Sequence, residues 1–99
     1  MIDDFASGTW HVTPGREQEF VERWTEFVSW SKTEYPAMTI ARLLRDRGVP
    51  GHYVSLTEWS ETAARDAWKQ SPGFQQRFAA CVALCDEMSG ADYDRVVTV

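Results

Sequence analysis

Two histidines, two cysteines and five tryptophans are the side chains here whose chemistry can reach beyond packing. His11 sits in an alternating segment, Trp10-His11-Val12, that reads as a strand. An imidazole titrating near neutrality can serve there as a base, although the same alternation also permits it to face away from any pocket. His52, beside Pro50-Gly51, reads as a solvent-exposed turn residue. Cys81 and Cys85 lie about one turn apart in an apolar helical pattern. They do not suit a disulfide, and the chain lacks neighbouring His or Cys to complete a zinc tetrahedron. They read as buried thiols in a reducing compartment. Trp10 and Trp24 fall on apolar stripes and read as core, whereas Trp59 and Trp68 can stack on a flat ligand or simply fill the interior. No glycine-rich nucleotide loop, Walker sequence or His-Glu-x-x-His motif occurs, so nucleotide and structural-metal enzymes lack support.

The chain around these residues has 99 positions, a formal charge of −5, and 43% hydrophobic and 13% aromatic residues. That length suits one domain, 1–99, without room for a separate cofactor domain. Such a domain buries only a little over ~60% of its unfolded surface, which favours a partner subunit. Ten Lys and Arg against 15 Asp and Glu give no basic face for nucleic acid or anionic membrane. No apolar run approaches the ~18 residues of a span, and the acidic start Met1-Ile2-Asp3-Asp4 is unlike a signal peptide. A cytoplasmic location is expected.

The elements that position these groups follow from punctuation and period. Gly8 to Thr13 alternates as a strand, stopped by Pro14-Gly15, with Thr13 expected to cap the next helix. From Arg16 to about Lys32, Phe20, Trp24, Phe27, Val28 and Ser31 form one helical stripe, ended by Tyr35-Pro36. Thr39–Arg45 and His52–Trp59 form a hairpin across Asp46–Gly51. Ser60 is expected to cap a helix whose inner stripe is Ala63, Ala64, Ala67 and Trp68, with Glu61 in its first turn. That helix breaks at Ser71-Pro72-Gly73. Phe74, Phe78, Cys81, Val82, Cys85 and Met88 predict a second helix running to Ser89-Gly90, and Tyr93–Val99 a last strand. The order βαββαβ gives an α+β, ferredoxin-like antiparallel sheet with helices on one face. Val54, Leu56, Ile40 and Leu44 then need cover on the other face, which a homodimer with facing sheets provides.

The stretches Trp10-His11-Val12-Thr13-Pro14-Gly15-Arg16-Glu17-Gln18-Glu19-Phe20, Leu43-Leu44-Arg45-Asp46, Ser55-Leu56-Thr57-Glu58-Trp59-Ser60-Glu61, Ala67-Trp68 and Ser71-Pro72-Gly73-Phe74 stand in an order that resembles the antibiotic biosynthesis monooxygenase family of dimeric α/β barrels. The resemblance implies a homodimeric barrel with a pocket between sheet and helices. Some members oxidise phenols or hydroquinones to quinones without metal or flavin; others cleave haem. Trp59 matches the tryptophan at the hairpin end in the quinone-forming members. The asparagine four residues earlier is Ser55 here, a tyrosine six residues later is Arg65, and an arginine on the last helix is Phe78. In the haem-cleaving branch Trp68 matches the tryptophan. That branch's asparagine falls at about Gly8, its ligating histidine at Phe78, and this chain contains no asparagine. Phenylalanine offers iron no lone pair.

Cofactor-free oxygenation requires a substrate anion that can pass an electron to oxygen in a dry pocket. Arg65, Arg42, His11, Tyr53 and the Ser55 hydroxyl are the groups available to favour that anion. The reading is an oxygenase of a phenolic or polyketide-like aromatic with no cofactor and no metal. Its expected catalytic residues are Trp59, Arg65 and His11, and Ser55, Tyr53, Trp68 and Phe78 bind substrate. Arg65 beside Asp66 and Lys69 reads equally well as a solvated helix charge. The alternatives are a non-catalytic small-molecule-binding or stress-response member of the family, and a haem-binding relative.

Overall fold

The computed structural model describes residues 4–99. Along the chain run β1 (Asp4–Val12), α1 (Glu17–Glu34), β2 (Met38–Arg45), β3 (His52–Trp59), α2 (Thr62–Gln70), α3 (Pro72–Val82) and β4 (Cys85–Asp94). The strands pair antiparallel in the order β2-β3-β1-β4, with the helices on one face, which is the ferredoxin-like arrangement read from the sequence. The residues Met1 to Asp3 of the acidic start lie outside the described residues, and Asp4 opens β1. Among the described residues no helix is long and apolar enough to cross a membrane.

Alternation on β3 sorts the sheet into two environments. Tyr53, Ser55, Thr57 and Trp59 are buried beneath the helices, and the residues between them are half-buried on the open face. Register with the neighbouring strands sets Leu44 beside Val54 and Phe5 beside Glu58 on that open face. His11 lies there too, its ring stacked on His52 with centroids 4.7 Å apart. His52, expected in solvent, is instead half-buried, and its Nδ1 lies 2.8 Å from Asp46 Oδ2.

Several boundaries differ from the sequence reading. The second long helix does not reach Met88: α3 ends at Val82, and Cys85 already begins β4. Cys81 to Met88 keeps a helical period, and pairing with β1 overrides it, with Gly90 opposite Gly8. Cys81 and Cys85 therefore do not share a helix face, and both are free thiols. Burial pushes Cys81 up to about 12 and Cys85 up to about 11, so neither is a nucleophile at neutral pH. The expected last strand Tyr93–Val99 ends instead at Asp94, leaving Val96, Val97 and Val99 exposed.

The caps also differ. Thr13 does not cap α1, whose N-cap is Arg16; the Thr13 hydroxyl donates to Asp86 Oδ1 at 2.7 Å, and Gly15 turns the chain with φ of +90°. Ser60 does not cap α2, whose N-cap is Glu61; the Ser60 backbone N–H donates to the Ala37 carbonyl. Ser71 does cap α3 as Pro72 opens it: its hydroxyl oxygen accepts from the Phe74 N–H at 3.1 Å and donates to the Trp68 carbonyl at 2.8 Å. One side chain thus satisfies orphaned groups at the end of α2 and the start of α3. Replacing Ser71 by Ala is expected to lower unfolding free energy by about 1 kcal/mol, read as a lower urea midpoint at unchanged slope.

Candidate functional site

Six elements surround one cavity between sheet and helices. Its floor is β1 and β3 with Gly8, Trp10, Ser55 and Thr57; its walls are Trp24, Phe27, Trp68, Phe74 and Phe78, and Met88 and Gly90 of β4 close one side. The cavity volume is about 190 Å³. The walls are mutually braced aromatics: Phe27 stacks on Trp68 at 5.6 Å, Trp68 meets Phe74 edge-on at 4.7 Å, and Phe74 stacks on Phe78 at 5.0 Å. Such walls favour a flat apolar ligand.

The polar order within this aromatic mass is simple. Three buried indoles each donate to one hydroxyl: Trp10 Nε1 to Ser55 Oγ at 3.0 Å, Trp59 Nε1 to Thr57 Oγ1 at 2.9 Å, and Trp68 Nε1 to Ser31 Oγ at 2.8 Å. Ser31 passes its own proton to the Phe27 carbonyl at 2.7 Å, and Thr57 passes its proton to the Ala6 carbonyl at 3.3 Å. Ser55 differs, because among the described residues no acceptor meets its proton. It is a buried hydroxyl at the cavity floor with one donor left over. A Cβ added at Gly8 would stand 2.7 Å from Trp10 Nε1 and 2.9 Å from Ser55 Oγ, so the glycine is what lets indole and hydroxyl meet.

The expected site residues separate into two groups. Ser55, Trp68 and Phe78 line the cavity, while Trp59, Tyr53, Arg65 and His11 do not. Trp59 is not at a pocket mouth; it is fully buried behind Trp68, ring centroids 4.8 Å apart. Tyr53 is buried against Phe20 at 5.4 Å, and His11 faces the opposite side of the sheet. Arg65 is not a solvated helix charge. Its guanidinium ion-pairs with buried Asp4 and lies 3.3 Å from Asp66 and 3.8 Å from Asp92. Among the described residues its buried Nε meets no acceptor.

The sequence reading missed Gly8, Trp10 and Lys69 as lining residues. Alternation on β1 carried the signal for the first two, since Gly8 pairs with Ser55 and shares a face with Trp10. Lys69 follows Trp68 directly and is the one charged side chain in the lining among the described residues; its Nζ lies 2.5 Å from Asp92 Oδ1. Among the described residues no three His, Cys, Asp or Glu side chains converge as metal ligands. Phe78, at the position where the haem-cleaving branch has its ligand, presents only an apolar ring to the cavity.

Comparison with known proteins adds the family. The profile of the family described as antibiotic biosynthesis monooxygenase matches residues 5–80. No curated protein matches the chain. Among solved structures it is similar to SnoaB, a cofactor-independent oxygenase from Streptomyces nogalater, with TM-score 0.88 and 20% identity, covering 100% of this chain and 98% of that one. It is also similar to a conserved protein from Methanosarcina mazei, with TM-score 0.85 and 18% identity over 97% of this chain and 95% of the other. A protein from Pseudomonas aeruginosa gives TM-score 0.79 and 15% identity over 98% and 97%. At these identities the likeness is one of fold.

Because Arg65 neutralises Asp4 in a nearly dry corner, removing it strands a buried carboxylate. Arg65→Ala is expected to cost about 3 kcal/mol of stability, and Asp4→Asn in the same chain to recover part of it. A chemical-denaturation cycle over the four proteins measures that coupling.

Proposed function

Since the chain belongs to the antibiotic biosynthesis monooxygenase family, we propose that its cavity binds a phenolic aromatic and oxidises it to a quinone with molecular oxygen and no cofactor. The observation that carries this reading is the uncommitted Ser55 hydroxyl at the floor of an aromatic cavity. A phenol whose oxygen meets that proton is favoured as phenolate, because a hydrogen bond to the charged form lowers its pKa. The indole N–H of Trp10 draws density from Ser55 Oγ and strengthens the donor. The apolar walls keep water from the electron-rich ring, and Trp68 gives it a stacking surface.

The overall change balances simply. The phenol gives its proton to bulk water on ionising, and the phenolate ring passes electrons to oxygen; one oxygen atom becomes the new ring carbonyl, and the other leaves as water, made with a proton taken back from solvent and the displaced ring hydrogen. Ser55 holds the oxyanion throughout and itself loses no proton. In this account Trp68 and Phe78 shape the binding space. Arg65 secures α2 against β1, and Trp59 supports Trp68 from behind.

Oxygen uptake by purified, metal-free protein with naphthohydroquinone and anthrone substrates, corrected for their spontaneous oxidation, tests the reading. Protein-dependent uptake is expected, with kcat/KM falling about 100-fold in Ser55→Ala. Tryptophan quenching by the same compounds without uptake would replace this reading with the non-catalytic binding one. That second reading has its own support in the single spare donor at a site where the family's asparagine is absent.

A second copy of the chain is the partner that best suits the open face of the sheet. Phe5, Ile40, Val54 and Leu56 lie there half-buried, with Leu44 and Tyr93 58% and 54% exposed. Two such sheets facing one another would cover an apolar surface that water otherwise wets. Sedimentation is expected to give a dimer for the unaltered chain and a monomer for the double variant Leu44→Glu, Val54→Glu.

A further inference from the structure

Two polar groups reach the cavity from opposite depths, and both are donors. Ser55 is buried in the floor, while Lys69 stands at the rim with its side chain 37% exposed, where α2 approaches β4. Among the described residues the remaining lining is apolar or holds hydroxyls already bonded: Ser7 Oγ donates to the Ser55 carbonyl at 2.9 Å, and Thr57 is committed at both lone pair and proton. A molecule that fills this space must therefore bring acceptors, one for the floor and one for the rim.

Charge decides what kind of acceptor the rim takes. Lys69 and Arg65 face Asp92, Asp4 and Asp66, so the rim already holds more carboxylates than cations. A further carboxylate would add repulsion. A neutral or shared oxygen can accept one of the ammonium protons that Asp92 leaves over. Volume decides the size: an apolar cavity of ~150 Å³ admits benzene, drug-sized pockets begin near ~300 Å³, and this one is about 190 Å³.

From these limits, and resting on the reading that the cavity binds a phenol, we infer that Lys69 is a specificity-determining residue for a compact aromatic of one or two fused rings with a phenolic oxygen at one end and an uncharged oxygen at the other. One oxygen meets Ser55 in the floor and the other meets Lys69 at the rim. A third fused ring would carry its far oxygen past Lys69 into solvent and lose that contact.

Calorimetric titration of the full chain with three probes tests this. The probes are 1-naphthol, 1,5-dihydroxynaphthalene and 1,8-dihydroxyanthrone. The two-oxygen naphthalene is expected to bind about tenfold more tightly than 1-naphthol, and the three-ring probe to show no such gain. In Lys69→Met the ratio of the two naphthalene affinities should fall to about one, and Lys69→Arg, which retains a rim donor, should restore most of it. An advantage that survives Lys69→Met, or equally tight binding of the three-ring probe, overturns the inference and leaves the cavity reading intact. Failure of all three probes to bind, in a protein with an unaltered urea midpoint, overturns both.

Discussion

An indole N–H cannot be buried without an acceptor, and this small core buries three of them. A buried donor left unmet costs roughly 1–3 kcal/mol, so Trp10, Trp59 and Trp68 oblige the chain to place hydroxyls at Ser55, Thr57 and Ser31. Two of the resulting bonds lie within the sheet, one from β1 to β3 and one along β3, and the third joins α2 to α1 across the helical layer, a polar scheme inside an apolar interior. The scheme fixes indole orientation as well as position. Trp68 is thereby held parallel to Phe27 and perpendicular to Phe74. The cavity is the space these rings leave when each must point its nitrogen at a hydroxyl.

The function proposed for the site follows from the one place where that scheme is incomplete. Ser31 and Thr57 hand their protons to backbone carbonyls and become inert supports. Ser55 accepts from Trp10 and keeps a proton to give. Gly8 makes this possible, because any side chain there would intrude between indole and hydroxyl. A glycine, a tryptophan and a serine from two paired strands therefore form the floor of the proposed site, and α1, α2 and α3 supply its walls. The Arg65 and Asp4 pair anchors α2 to β1 at the same end of the sheet as the cavity rim. This makes the helix carrying Trp68 and Lys69 part of a fixed frame.

Much of this was legible in the sequence, and the failures have physical causes. β3 was readable to the residue because Gly51 and Ser60 bracket a segment rich in β-branched and aromatic residues, and the helix break at Pro72 was readable because proline tolerates only a first turn. The end of α3 was not. Cys81, Val82, Cys85 and Met88 keep helical spacing, and only the unpaired edge of β1 shows that the chain turns into a strand. Ser55, Trp68 and Phe78 were placed in the lining by their matches to the family pattern, while Arg65 was misjudged because its partner Asp4 is 61 positions away. Lys69 was hidden for the opposite reason. A lysine in the last turn of a helix, three residues after Asp66, reads as surface, and only three-dimensional closure turns it toward a cavity.

The central claim is that a ligand enters the space above the Trp10 and Ser55 pair. The most direct measurement is the indole 15N–1H spectrum of tryptophan-labelled protein, titrated with 1-naphthol. The account predicts that the Trp10 resonance, assigned with the help of Ser55→Ala, moves progressively and saturates together with Trp68, while Trp30, which does not line the cavity, stays in place. Saturating binding that leaves Trp10 unmoved, or that shifts Trp30 alone, would contradict it.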